Sequence, residues 1–437
     1  MLPPMSSMSV LYRIVVRAAR AGSWFFRHGS GKVARGIEGR RHTQTVLGNW
    51  ADAERDPDRP VVWIHAPSVG EALQAEAVAL ALAARIDGVQ FVFTHFSPSV
   101  EAFVEQLHAD VSAYLPWDIT DEVGPALDTV APNLLVFTKT EVWPVLVAEA
   151  EKRRIPVAIV AGSVPPDAGR RKWLARAVLR STWSRLSVAC ANSDSDAEML
   201  LDLGVPEEAL HTTGDPGVDS ASRRLHGVDL PAPHLVDLFS DARPTVVAGS
   251  TWPSDEQILL PALCKVRDLV PNVRVIVAPH EPSHARVSAL LRDLRALGWE
   301  SATLSETESK STSDNLSAVV VDRVGVLAGL YKVAGAAYVG GGFRRAGLHS
   351  VLEPAAAGVP VVFGPRYHSA QAAVGLLARG TARVSEDSSS LAHVLVDWLS
   401  DPKLKQEAAK GSSGYIESHL GAADKIAALL DPLIRSN

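Results

Sequence analysis

Three segments of this 437-residue chain set reactive residues directly after apolar, β-forming runs. Ala66-Pro67-Ser68-Val69-Gly70-Glu71 follows VVWIHA and leads into the helix-like ALQAEAVALAL. Such a strand–loop–helix corner places Glu71 at the rim of a cleft. The same spacing, Ser68 three residues ahead of Glu71 before an apolar run, also spells a capping box, and spacing alone favours the cap. Lys139-Thr140-Glu141-Val142-Trp143-Pro144 follows LLVFT in the same manner. Gly340-Gly341-Gly342 follows AAYV and runs through Phe343-Arg344-Arg345-Ala346-Gly347-Leu348-His349-Ser350 into VLEPAAAG. Such glycines let a backbone approach a ligand closely. A basic, Gly-containing loop feeding a helix N-terminus suits an anion, because free N–H groups and the helix dipole favour phosphate. Glu353, one turn further, either accepts from ribose hydroxyls or simply offsets the dipole.

Two apparent metal signatures read otherwise. His280-Glu281-Pro282-Ser283-His284 spells HExxH, which binds zinc only when both histidines share a helix face. It directly follows VRVIVAP, so Pro282 is expected at the first helical position with His280 in the preceding loop. Asp194-Ser195-Asp196 resembles a DxD pair, but it opens the helix-like DAEMLLDLG, where N-capping explains it more simply. No metal or cofactor is expected. The two cysteines, Cys190 and Cys264, are far apart, which argues against a disulfide framework and for a reducing compartment.

The elements that must hold these residues are short apolar runs alternating with helix-like stretches. The runs are Val61–Ala66, Phe91–His95, Leu134–Thr138, Val157–Ala161, Val188–Ala191, Thr245–Ala248, Val273–Ala278, Ala318–Asp322, Ala336–Val339 and Pro360–Gly364. Continuous apolar strands between helices imply parallel sheets covered on both faces, and ten exceed one sheet comfortably. The periodicity fades over Arg223–Arg243, so the chain reads as two doubly wound domains whose ligands bind beyond the carboxyl ends of the strands. The expected divisions are 1–45 for a basic N-terminal segment, 46–225 for the first domain and 226–243 for a linker. Residues 244–410 form the second domain, and 411–437 a terminal helix crossing back to the first.

The charge is uneven. Residues 1–50 carry eight Lys or Arg against one acid, Glu38, while the whole chain is at −6. A cationic head on an acidic body argues for an anionic surface at one end and against a general nucleic-acid binder. Val10–Phe26 is apolar but interrupted by Arg13, Arg17 and Arg20, so it is no membrane span. On a helix these arginines share one face and Leu11, Ile14, Val15 and Ala18 take the other. That suits a helix lying in an anionic bilayer surface, or one packed on its own domain. Arg170, Arg171, Lys172, Arg176, Arg180 and Arg185 form a second basic stretch.

Eight segments, in order along the chain, resemble the Kdo (3-deoxy-D-manno-oct-2-ulosonic acid) transferases of lipopolysaccharide assembly. They are WIHAPSVGE, FTHFSPS, YLPWD, KTEVWP, ANSDSDAEMLLDLGV, AGSTWPSDE, APHEP and YVGGGFRRAGLHSVLEPAAAGVPVVFGP. The resemblance implies an α/β, GT-B type fold: two Rossmann-like doubly wound parallel-sheet domains facing across a cleft. It implies inverting transfer of Kdo from CMP-Kdo to a lipid A precursor, at the cytoplasmic face of the bacterial inner membrane. On it, Glu71 is the general base. Ser250, Thr251, His280, Gly340, Gly341, Gly342, Gly347, His349, Ser350 and Glu353 line the donor site. Acceptor contacts fall to Ser68, Gly70, Lys139, Glu141, Arg170 and Arg171. The chain departs from common family wording at Ser350, where many members have Asn, at Lys139, at the APHEP segment and at Gly217, where a basic residue is common. The alternatives are another GT-B nucleotide-sugar transferase or epimerase, or a non-catalytic nucleotide- or lipid-binding relative.

Overall fold

The structure is a computed structural model and describes residues 7–24, 31–101, 103–164, 179–226, 232–241, 243–310 and 316–436. The chain divides into two units, Met1–Ser220 with Gly421–Asn437, and Ala221–Leu420. Arg170, Arg171, Lys172 and Arg176 lie outside the described residues.

The first unit is built on a seven-stranded parallel sheet in the order β3-β2-β1-β4-β5-β6-β7. Its strands are β1 Val61–His65, β2 Gln90–His95, β3 Val111–Tyr114, β4 Leu134–Thr138, β5 Val157–Gly162, β6 Val188–Ala191 and β7 Leu210–Thr212. The second unit also has a seven-stranded parallel sheet, in the order β10-β11-β9-β8-β12-β13-β14, with β11 inserted between β10 and β9. Here the strands are β8 Thr245–Thr251, β9 Arg274–Pro279, β10 Ser301–Thr303, β11 Ala318–Val320, β12 Ala336–Val339, β13 Val361–Phe363 and β14 Ala382–Val384. Two doubly wound parallel sheets of this kind are the GT-B type of fold.

All ten sequence-derived strands are present, and four more join them: β3, β7, β10 and β14. Those four are the edges of the two sheets. Every residue of β1, β2, β4, β5 and β6 is buried, whereas β7 has none buried and β10 has one. A central strand covered on both faces needs an unbroken apolar run; an edge strand does not.

Both faces of the first sheet are packed. Leu47, Trp50, Trp63, Phe137 and Trp183 form one layer. The other gathers Val78, Leu82 and Phe91 with Ile426, Ala427 and Leu430 of the last helix, Ala422–Arg435. That helix is tied down where it starts, since the Asp219 carboxylate accepts from the Gly421 and Ala423 amides at 2.7 and 3.0 Å. The described residues within Arg223–Arg243 include helix and buried core, where the fading periodicity suggested a linker. The helix Pro216–His226 carries Arg223 and Arg224, and Leu235 and Phe239 are buried in the second unit's core.

The helix Ser7–Ser23 resolves the two faces of the basic segment. Arg17 pairs with Asp121 at 3.5 Å and Arg20 with Glu122, so these cations meet the protein's own acids. Leu11, Ile14 and Val15 are each more than half exposed, and Trp24 beyond the helix is exposed as well. Among the described residues no helix is long and apolar enough to cross a membrane.

Ile426 is fully buried between the terminal helix and the sheet. Ile426→Ala is expected to cost the first unit about 2–5 kcal/mol, read as a lower urea midpoint with an unchanged slope.

Candidate functional site

In each sheet one central pair of neighbouring strands sends the chain to opposite sides, and ligands of open parallel sheets bind at such a reversal, beyond the carboxyl ends. In the first unit the reversal lies between β1 and β4. The loops leaving it are Ala66–Ser68, ahead of the helix Val69–Ala83, and Lys139–Trp143, ahead of the helix Pro144–Lys152. In the second unit it lies between β8 and β12, where Ser250–Trp252 and Gly340–Ser350 emerge.

Glu71 occupies the first turn of its helix and is half-buried. The capping box does not form: the Ser68 side chain accepts no backbone N–H and instead donates to the Glu71 carboxylate at 2.5 Å. One carboxylate oxygen is thereby oriented, and no cation among the described residues pairs with the group. One turn on, Gln74 donates to Asp215 at 2.7 Å. Burial pushes the Asp215 carboxyl above the usual range, against hydrogen bonds from the Gly217 amide and Gln74 and the nearby Lys139 charge. Gly217 itself is buried in the helix Pro216–His226, its amide bonded to Asp215 at 2.8 Å.

Lys139 has φ +52°, a left-handed conformation costly for a side chain with a Cβ, at the turn out of β4. The helix that follows the loop is anchored at its first turn by Asp118 of the YLPWD segment. This fully buried carboxylate accepts from the Val145 and Leu146 amides at 2.9 and 2.8 Å and from Tyr12 Oη at 2.8 Å. Burial raises it to about 6 despite those bonds.

In the second unit one side chain organises the glycine loop. Asp255 is wholly buried and accepts from the Gly341 amide at 3.0 Å, the Trp252 amide at 2.9 Å and Tyr338 Oη at 3.0 Å. Gly340 and Gly342 do not leave their side-chain space to a ligand. A Cβ on Gly340 would lie 2.2 Å from the Ser250 carbonyl oxygen, and one on Gly342 2.5 Å from the Gly364 nitrogen. The glycines serve close approach of backbone to backbone. Thr251 is turned inward, donating to Glu256 at 2.8 Å, whereas Ser250, with φ +55°, stays half-exposed.

Beyond the loop three rings stack. Trp252 lies 4.8 Å from His280, and His280 4.2 Å from His349, with Arg344 over the Trp252 ring at 3.6 Å. The indole N–H of Trp252 donates to His349 Nε2 at 2.9 Å, which requires a neutral imidazole carrying its proton on Nδ1. Burial, with His280 and Arg344 nearby, lowers His349 to about 4. The amides expected to receive an anion are committed: Gly347, Leu348 and His349 donate to the carbonyls of Arg344, Arg366 and Gly340. The following helix is short, Leu352–Ala356, with Ser350 Oγ accepting from the Leu352 amide at 3.3 Å. Glu353 neither stands free nor merely faces the dipole, since Arg224 donates to it at 2.7 Å.

The HExxH motif is not a zinc site. His280 lies in the loop after β9, and the helix opens at His284 with Ser283, not Pro282, at its start. Ser193, not the DxD aspartates, caps the helix Asp194–Leu203, and Asp196 accepts from the Val164 amide. Among the described residues no group of three His, Cys, Asp or Glu is placed to hold a metal ion. Sequence reasoning missed Asp118, Arg224 and Asp255. Asp118 and Asp255 lie inside segments that carried the resemblance, but their work is to hold loops, which spacing does not reveal.

Residues 41–220 match the family model described as 3-deoxy-D-manno-octulosonic-acid transferase (kdotransferase). A 3-deoxy-D-manno-octulosonic acid transferase of Haemophilus influenzae is 25% identical over 384 residues, covering 86% of this chain and 88% of that one. One of Bordetella pertussis is 27% identical over 373 residues, covering 83% and 84%. The UDP-GlcNAc 2-epimerase of Neisseria meningitidis matches in structure with a TM-score of 0.59 at 13% identity, covering 86% of this chain and all of that one. At that identity the likeness is one of fold.

Below its ordinary pKa of 6.5, His349 in the unfolded chain takes a proton that the folded chain refuses until about pH 4. Its contribution to stability is therefore intact above about pH 6.5 and is lost as pH falls towards 4. An NMR titration is expected to place the imidazole near 4, with Arg344→Gln moving it upward.

Proposed function

On its likeness to the 3-deoxy-D-manno-octulosonic acid transferases, we propose that the chain is an inverting glycosyltransferase moving Kdo from CMP-Kdo to a hydroxyl of a lipid A precursor. The observation that carries this reading is the Glu71 carboxylate at the first sheet's switch point. It is half-buried, steered by Ser68 and unpaired with any cation among the described residues. A carboxylate so held is placed to take a proton from a hydroxyl brought to it.

In the reaction a bond forms between the acceptor oxygen and the anomeric carbon while the carbon–oxygen bond to phosphate breaks. The hydroxyl proton passes to Glu71 and CMP departs with its negative charge. In the second unit that charge falls to Arg344 and Arg345, because the Gly347–His349 amides are occupied by the loop's own carbonyls. The Trp252–His280–His349 stack keeps Arg344 in one orientation, and the Nδ1–H of His349 is a further neutral donor. Glu353, clamped by Arg224, offers remaining acceptor capacity to ribose hydroxyls. Ser250, His280 and Ser350 complete the donor side. Lys139 and Glu141, beside Ser68 and Gly70, contact the acceptor, with Arg170 and Arg171 as further contacts.

The helix Ser7–Ser23 serves as the membrane contact, at the cytoplasmic face of the inner membrane. Support comes from its exposed Leu11, Ile14 and Val15. Because Arg17 and Arg20 already meet Asp121 and Glu122, apolar insertion rather than arginine–lipid pairing supplies most of the binding.

Glu71→Gln is expected to lower transfer from CMP-Kdo by at least about 10²-fold with CMP affinity and melting temperature unchanged. Near-normal turnover would return Glu71 to a structural role; UDP-sugars in parallel test the donor. Replacing Leu11, Ile14 and Val15 together by Ser is expected to release the protein from anionic vesicles in a sedimentation assay without altering CMP affinity.

A further inference from the structure

The first unit holds a guanidinium that the fold orients but does not neutralise. Arg40, on the helix Lys32–Ala53, lies with its Cζ 4.1 Å from the Phe96 ring centre and 4.7 Å from that of Trp117. Phe96 is stacked in turn on Trp143 at 6.0 Å and 14°. These rings come from the loops after β2, β3 and β4, at the carboxyl end of the sheet. The Ser97 amide donates to the Pro67 carbonyl at 3.0 Å, so the Phe96 loop is tied to the loop that carries Ser68 and leads to Glu71.

No acid among the described residues forms an ion pair with Arg40. The acid whose charge it feels, Glu122, is already occupied by Arg20 and the Trp117 amide. Burial lowers the guanidinium to about 10. Arg40 Nε is buried without a hydrogen-bond partner among the described residues, as are Nε2 of His65 and Nδ1 of His95, two imidazoles within reach of its charge, and Nε1 of Trp143, which stacks on Phe96. Burial keeps both imidazoles neutral, His65 at about 3, so neither cancels an anion brought to Arg40 nor adds a second cation. A half-buried cation with no ion-pair partner and a buried, unbonded Nε is costly, and unsatisfied groups in native proteins call for an occupant.

We propose that Arg40 is the anion-binding group of a subsite in the first unit, and that its ligand is a phosphate group on the acceptor sugar. The assignment of source rests on the acceptor reading above. Phosphate fits because a guanidinium presents planar, forked donors to it, and one clamped between rings loses little freedom on binding.

The test is calorimetric titration of the full chain with glucosamine 1-phosphate and with glucosamine. Arg40→Gln is expected to weaken the sugar phosphate at least tenfold and to leave glucosamine and CMP unchanged, with Arg40→Lys falling between. Phe96→Ala, which keeps the charge and removes the clamp at a half-exposed position, is expected to weaken it at least threefold. Unaltered sugar-phosphate affinity in folded Arg40→Gln, or equal loss for glucosamine, overturns the proposal. Loss of binding to phosphatidic acid vesicles alone would assign the cation to lipid headgroups and overturn it too. Because binding is read without turnover, it stands or falls separately from the role of Glu71.

Discussion

Where two neighbouring parallel strands send their connections to opposite faces of a sheet, neither connection covers the gap between their carboxyl ends. Everything chemical in this protein hangs on that constraint, met once between β1 and β4 and once between β8 and β12. The gap leaves loop backbone and helix starts open to a ligand, yet those loops must still be held in one conformation. The price is taken in buried carboxylates and in strained backbone at Lys139 and Ser250, each at the exit of a strand beside the gap.

The carboxylates divide the work. Asp118 and Asp255 are buried acceptors whose oxygens are consumed by amide and phenol donors, so they fix the start of the helix that follows the β4 loop and the glycine loop after β12. Glu71 is different in kind: a neighbouring hydroxyl steers it while the rest of the group stays available. A similar contrast separates the cations. Arg224 is spent on Glu353, whereas Arg40 is steered by aromatic faces that orient a charge without cancelling it.

The central strands were legible because burial on both faces forces an unbroken apolar run. The edges β3, β7, β10 and β14 were not, since half-exposed strands tolerate sequences such as VSAY or LHT that carry no such signal. The segments around the site were legible as motifs, and their likeness to one family extends over most of the chain. Roles within those segments were harder to see. The glycines after β12 suggested room for a ligand, but Ser250 and Gly364 occupy that room. Thr251 and the Gly347–His349 amides suggested donors, but each already has a protein acceptor.

By itself the sequence determined the alternation of strands and helices, the division into two doubly wound units and the presence of a carboxylate at the first corner. These follow from local patterning, because apolar runs and turn residues act on their near neighbours. Only the tertiary structure decided which polar groups remain unspent. A hydroxyl, amide or guanidinium is available or committed according to partners far along the chain, such as Tyr12 to Asp118 or Asp255 to Gly341. Desolvation on folding sets the cost of leaving any of them unpaired, and no local spacing records it.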